Sequence, residues 1–382
     1  MTVDTTLDRL SLILDFSSVG NNRVPTIDDV IDILGYFFLE IPDEGFVVVP
    51  DRHFDSAEFV KKSMGADETN FFWHGSTPVM NVSSVKGQPT YIRLDFNPKR
   101  FREDNQLFDA LMDALSDLNQ EWPFTMHVSQ ADFAFSITNE TGAENMWLWR
   151  LGATTSKIMY SRSSAVATRY SGKRSSDIYA KYYDKHQEQV DTIVNRYRAE
   201  KIRLKTLKND GLIDDEELNQ LILPALAEMK KNEIDDIPED YWRFEVTVRT
   251  PLFLNDREFN KDVVVDRFLD KLSIRNIESI NNPVIRAVAI AIDSDKVKRN
   301  ELPPSVKKKY SGVMQWGDVS GYYDDDRHYH LVKTDNVPEG VRISHRITME
   351  LDDKISSKVV QSWLDKSSGI QDEINSYFNL RS

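Results

Sequence analysis

Short runs of alternating apolar and polar residues dominate the first part of the chain. LSLILDF (10–16), GFVVVP (45–50) and PTYIRLDF (89–96) are predicted strands by their β-branched and alternating character. TIDDVIDILGYFF (26–38) and NQLFDALMDALSDL (105–118) instead repeat their apolar positions every three to four residues, which predicts amphipathic helices. FTMHVSQADFAFSI (124–137) predicts a long strand with Val128, Ala131, Phe133 and Phe135 as its apolar positions. WLWRLG, SKIMYSR and AVATRYSG follow, and DIYAKYYDKHQEQ (177–189) opens as another strand. Several strands in succession imply an antiparallel sheet.

From Gln187 the period lengthens to about three and a half, with Val190, Ile193, Val194, Tyr197, Ile202 and Leu204 near one side of a helix ending at Lys208. A turn at Gly211 and a second periodic run make this a helical hairpin over 187–235, after which DYWRFEVTVRTPLF (240–253) returns to strand character. Beyond Asn255 the pattern mixes helices such as KDVVVDRFLDKL with a Pro- and Lys-rich break, ELPPSVKKKYSG, and closes in a polar helix. The expected fold is α+β: a central antiparallel sheet flanked by helices, with the hairpin inserted between two of its strands. Three parts are expected: an α+β part (1–125), a core (126–254) and a C-terminal region (255–382).

The 382 residues, 40% hydrophobic, suffice for a substantial core. With no cysteine, disulfides, thiol catalysis and Cys-ligated zinc are excluded. The N-terminus lacks a basic, apolar leader and no run approaches the roughly 20 apolar residues of a membrane span, so a cytoplasmic protein without a membrane partner is expected. The net charge of −14 hides a polarity: residues 1–70 hold five Lys/Arg against 14 Asp/Glu, whereas 157–208 hold 13 against five. A localised cationic surface on an acidic protein suits an anionic ligand, a solvated helix face being the plainer reading.

Phosphate loops (GxxxxGK[ST]), dinucleotide loops (GxGxxG) and the GxSxG elbow are all absent. What remains is acids and tyrosines on predicted strands. On a strand, Tyr179, Lys181, Tyr183 and Lys185 share one face, and Tyr182 points to the other with Ala180 and Ile178. Tyr183 between two lysines is the nucleophile candidate, against the alternative that all three tyrosines are simply packed. Were the segment helical, Tyr182 and Lys185 would pair instead. Asp132 and Glu245 each interrupt an apolar strand, which makes them either part of a solvated face or two ligands for a hard divalent cation.

The order QADFAFSI, then TRYSGKRSSDIYAKYYDKHQE, then YWRFEVTVR resembles the Rep_trans-type replication initiators of rolling-circle plasmids and related phages, and YIRLDFNPKRF resembles an upstream strand of that family. The likeness covers roughly residues 88 to 250. It implies an enzyme whose strand tyrosine attacks a DNA phosphodiester at the replication origin and stays bound to the 5′ phosphate, assisted by Mg²⁺ or Mn²⁺. Carried over by position, it makes Tyr183 the nucleophile, with Lys185, Lys181 (where an arginine is usual) and Arg243 around it and Glu188 as the trailing acid. Asp132 and Glu245 become metal ligands, and Tyr170, Gly172, Arg174 and Ser176 match the loop before the tyrosine strand; with Lys173 of the basic region this loop is expected to bind DNA, and the C-terminal region (255–382) is left for DNA binding or dimerisation. Gln130 and Ser136 depart from the family pattern, Ser136 replacing a second aspartate, so a ligand could shift to Asp95 or Asp177. The expected partners are double-stranded origin DNA with a single-stranded or cruciform nick site, a second copy of the chain in a homodimer, and a host helicase. Lys181, Lys185 and the ion are expected to lower the barrier to deprotonating the phenol. Three alternatives remain: a DNA-binding regulator of the same fold without the chemistry, a structural phage protein with no DNA role, and a relaxase-like enzyme of permuted motif order using His328 and His330 of DDDRHYHLVK, for which a surface strand with two histidines is the plainer reading.

Overall fold

The computed structural model describes residues 1–18, 23–39, 46–50, 69–74, 77–85, 87–103, 105–140, 146–150, 156–160, 166–173, 175–209, 211–214, 216–249, 259, 261–294, 296–351 and 353–380. Arg174 of the expected DNA-binding loop lies outside them. The strands are β1 (Thr2–Asp15), β2 (Phe46–Pro50), β3 (Thr69–His74), β4 (Thr77–Val85), β5 (Gln88–Phe96), β6 (Thr125–Thr138), β7 (Met146–Arg150), β8 (Ser156–Tyr160), β9 (Val166–Ser171), β10 (Ile178–Asp184), β11 (Tyr241–Arg249), β12 (Leu272–Asn276), β13 (Asp318–Tyr323), β14 (Tyr329–Lys333) and β15 (Ile343–Thr348). The helices are α1 (Ile27–Leu39), α2 (Pro98–Glu103), α3 (Asn105–Glu121), α4 (Lys185–Asn209), α5 (Leu223–Asp235), α6 (Asp262–Arg267), α7 (Pro283–Asp293), α8 (Pro304–Trp316) and α9 (Asp353–Ser376).

The fold is α+β. Ten strands form one antiparallel sheet in the order β2-β3-β4-β5-β1-β6-β11-β10-β9-β8, and the sheet runs through residue 125 without a break. Period two assigns its faces. Leu7, Phe133, Phe135, Phe244, Val246, Ala180 and Tyr182 are buried on one side, where α9 lays Trp363 edge-on to Phe133 with ring centroids 5.0 Å apart. Burying each of the Leu, Phe and Val side chains among them is worth about 1.5–3 kcal/mol. The C-terminal helix is thus polar on one side only, its Ile355, Val359, Trp363, Ile370 and Ile374 closing the core.

In β1 the buried positions step from Leu7 to Leu10, three residues rather than two, because the pairing with β6 shifts between Leu7 and Arg9. The bulge leaves Asp8 as an extra residue in the strand. At the other end of the tyrosine strand, the Asp184 carboxylate accepts the Gln187 backbone N–H at 2.8 Å, an N-cap that turns strand into helix. The hairpin α4–α5 therefore starts at Lys185, two residues earlier than its period suggests, and joins β10 to β11 as expected.

Four local expectations differ from the structure. ELPPSVKKKYSG is no break: Pro304 sits at the first turn of α8, where its missing N–H costs nothing, and the helix runs on through the lysines. KDVVVDRFLDKL is helical only to Arg267, then passes through a 3₁₀ turn into β12. Residues 147–150 of WLWRLG lie in β7, yet this strand pairs with β12 outside the main sheet. The third difference in the C-terminal region is a second core, Ile277, Ile285, Ile292, Val313, Val319, Leu331 and Ile347 among α7, α8 and the sheet β14-β13-β15. Among the described residues no helix is long and apolar enough to cross a membrane.

Candidate active site

Opposite the core, the polar positions of four adjacent strands form one patch. The register places Tyr183 across from Arg243 and Lys181 across from Glu245 on β11. Arg243 lies across from Ser136, Glu245 from Ala134 and Thr247 from Asp132 on β6. Arg9 lies across from Asp132 on β1. Alternation that buries Tyr182 against Trp242, stacked at 5.2 Å, is the same alternation that turns Tyr183 toward the acids.

Tyr183 donates its hydroxyl proton to Glu245 Oε1. The other carboxylate oxygen holds Lys181 Nζ at 2.6 Å, and that ammonium also lies 4.8 Å from the Tyr183 ring centroid. Lys185, in the first turn of α4, lies 5.8 Å from the same centroid and pairs with Glu188 at 2.5 Å. Arg243 is held by Asp8 at 2.7 Å and donates to the Tyr241 hydroxyl at 3.1 Å. The patch thus brings together Tyr183, Lys181, Lys185, Arg243, Glu188 and Glu245, with Asp132 one step away.

Burial, then the charge of Glu245 and its hydrogen bond, push the Tyr183 phenol above its ordinary value. The expectation that the lysines ready the phenol for deprotonation does not describe this resting arrangement. The reason is local: Lys181 and Lys185 are neutralised by Glu245 and Glu188, and the carboxylate nearest the hydroxyl favours the protonated form. What the geometry offers is a phenol already bonded to a base.

Burial likewise raises the Asp132 carboxyl, opposed by Arg9 and reinforced by Glu245; Gln130 donates to it at 3.0 Å. Burial raises the Asp8 carboxyl against the pull of Arg243, with Glu245 adding to the rise. Asp8 is the residue sequence reasoning missed. Its signal was the three-residue step from Leu7 to Leu10, which marks a bulge carrying a charged pair inside an apolar strand.

Among the described residues, no three acidic or imidazole side chains converge closely enough to hold a metal ion. Asp95 is tied up by Arg9 at 3.0 Å, Arg93 at 3.2 Å and the Ser11 hydroxyl. Asp177 is exposed in the turn before β10. Neither replaces the aspartate missing at Ser136, whose hydroxyl lies 3.4 Å from that of Tyr241. The donor set is therefore two mutually repelling carboxylates, Asp132 and Glu245. A magnesium-like ion commonly takes one or two carboxylates and completes its shell with water and substrate phosphate, so Asp132 and Glu245 would be its ligands here, Glu245 giving up its present bonds to Tyr183 and Lys181.

The loop before β10 lies at the far end of the strand from Tyr183. Gly172 has a φ of +88°, and a Cβ there would meet the Ile178 carbonyl at 3.1 Å, so the turn requires glycine. Lys173 is exposed, and its backbone N–H donates to the Ser176 hydroxyl at 3.3 Å. From Ile178 to Tyr183 the strand advances about 16 Å, so Lys173 and Ser176 do not touch the tyrosine. Tyr170 is nearer, across from Lys181 and stacked on Tyr179 at 5.7 Å. His330 lies on β14 of the three-stranded sheet and His328 just before it, where both face Asp324, at 2.8 and 3.5 Å.

No protein-family model matches the chain, and no curated protein matches it. Among solved structures, the rolling circle replication initiator protein from Geobacillus stearothermophilus is similar over 72% of this chain and 87% of that one, with 12% identity and a TM-score of 0.34. A likeness of that degree adds no argument about the patch.

One consequence concerns stability. Because the Asp132 carboxyl is raised in the folded state, its ionisation costs stability, and that cost grows as pH rises above the ordinary aspartate value near 4. Asp132→Asn is expected to be more stable than the parent at pH 7, by about 0.5–2 kcal/mol, with the gap narrowing toward pH 4.5. Urea midpoints at several pH values measure it, and a variant less stable at pH 7 would contradict the sign.

Proposed function

We propose that this protein is a replication initiator that binds an origin, nicks one DNA strand through a covalent 5′-phosphotyrosine at Tyr183 and later rejoins it, starting rolling-circle replication of a plasmid or phage. The observation that carries this reading is the hydroxyl of Tyr183 on the Glu245 carboxylate, flanked by two lysines, in the strand order of the resembling motifs.

In the resting protein, Lys181 and Lys185 cover the phenol and their charges are spent on Glu245 and Glu188. An arriving phosphodiester competes for both ammonium groups. Their release frees the hydroxyl to meet phosphorus and leaves positive charge beside the phosphate oxygens, where it develops in the transition state. As Tyr183 Oη bonds to phosphorus, its proton passes to Glu245; the bond from phosphorus to the 3′ oxygen breaks, and that oxygen is protonated from solvent. Arg243, held by Asp8, fixes the far side of the patch. Mg²⁺ or Mn²⁺, held by Asp132 and Glu245 when bound, would neutralise phosphate charge. The phosphotyrosine conserves the bond energy, so reversal of the same step reseals the strand without an external energy source.

The partners follow as part of the proposal. Binding is to double-stranded origin DNA whose nick site is single-stranded or extruded as a cruciform. A homodimer and a host helicase complete the system, since the chain carries no nucleotide-hydrolysing loop of its own.

Supercoiled plasmid bearing this protein's own coding sequence and flanks should become nicked and relaxed in Mg²⁺ or Mn²⁺. Binding without any cleavage would leave a DNA-binding regulator. Lys173→Glu with Arg174→Glu should weaken DNA binding and flatten its dependence on log salt by about two units, at about 0.9 per phosphate contact. Unchanged binding across a salt series would remove that loop from the DNA path.

A further inference from the structure

The helix leaving the tyrosine strand carries cations that the site does not use. Helix α4 is 25 residues long, and only Tyr197 and Leu204 on it are buried; α5 buries none. At 1.5 Å per residue the arm is about 37 Å long. Its two helices are tied by Glu233, which receives the Tyr197 hydroxyl at 2.5 Å and Arg196.

The cations of α4 separate by face. Arg196 and Arg203 are each paired with an acid, Glu233 and Glu200. Arg198, Lys201 and Lys205 are exposed and have no acidic partner among the described residues; Arg198 makes only a 3.4 Å contact to Asn195. Spacings of three and four align these three on one stripe, turned away from Arg196 and Arg203. A purely solubilising face mixes both signs, because like charges at these spacings repel. A single-sign row on a protein of net charge −14 calls for an anion spaced along a line.

We propose that Arg198, Lys201 and Lys205 track the phosphate backbone of duplex DNA beside the nick, a role that rests on Tyr183 being the DNA nucleophile. Lys201 and Lys205 follow Lys185 by about 24 and 30 Å along the helix. At 3.4 Å per base pair, that reach matches about seven to nine base pairs of flanking duplex.

The test compares two double variants of the full-length protein that remove equal charge. Lys201→Gln/Lys205→Gln removes two of the three charges of the stripe. Arg196→Gln/Arg203→Gln acts on the opposite face, about 10 Å across the helix, where charges are screened from the stripe at 0.1 M salt. Binding to a fluorescent 30-base-pair duplex is followed by anisotropy over a salt series, and thermal melting confirms folding. The stripe variant should lose about 1.8 from the slope of log affinity against log salt, and the control should keep the parent slope. A stripe variant with the parent slope, or a control that loses as much, overturns the proposal; the exposed Ile202 and Met229 would then mark the arm as a protein contact. A parent protein with no salt-dependent DNA binding would instead sink the initiator reading and this proposal with it.

Discussion

Tyr183→Phe is expected to bind DNA like the parent and to cleave it at least about 10³-fold more slowly, with no covalent adduct. The substitution removes one oxygen and keeps a ring that is only 7% exposed in its place against Lys181 and Lys185. Losing a hydrogen bond to a charged group costs about 1.5–3 kcal/mol at most, well short of unfolding a domain of ordinary stability. The pH dependence gives an independent check. Because the phenol is raised in the folded state, its contribution is fully present below the unfolded value near 10 and is lost only at still higher pH. The stability gap between parent and variant should therefore hold through neutral pH and narrow in strong alkali. Tyr182→Phe, on the core face against Trp242, should cleave close to normally.

Glu245→Gln has the next largest expected effect, a fall of about 10²–10⁴-fold in cleavage, together with loss of the dependence on Mg²⁺ or Mn²⁺. The amide cannot take up the phenolic proton, and its NH₂ would face either the Tyr183 hydroxyl or the Lys181 ammonium, donor against donor. Folding should survive, since the change is isosteric and the site opens to solvent along Lys181. The competing arrangement is excluded or established by the same assay. If His328→Ala/His330→Ala abolishes cleavage while Glu245→Gln does not, the relaxase-like reading of permuted motif order holds and the metal belongs with the histidines instead of Glu245.

Period two carried much of this architecture. It separated Tyr183 from Tyr182 and put Glu245 and Arg243 on a common face, because a strand offers only two sides. The sheet's order across ten strands was not readable, since pairing joins residues far apart in the chain, as Arg9 meets Asp132. Asp8 was hidden for a related reason: a bulge breaks the alternation on which the reading depends. The C-terminal core was missed because its strands are short and the helix α8 begins with prolines that mimic a break. The protonation state of Tyr183 was also beyond the pattern. Spacing showed which charges neighbour it, whereas the pairing of each lysine with its own acid decided which charge the phenol feels.

The most direct test maps the covalent adduct. Supercoiled plasmid carrying the coding sequence and its flanks is nicked in Mg²⁺ or Mn²⁺, denatured and digested with nuclease and protease, and the nucleotide-bearing peptide is sequenced by mass spectrometry. The expected result is a 5′-phosphate on Tyr183. A nucleotide on Tyr182 or Tyr179, or cleavage with no protein-linked DNA at all, would contradict it.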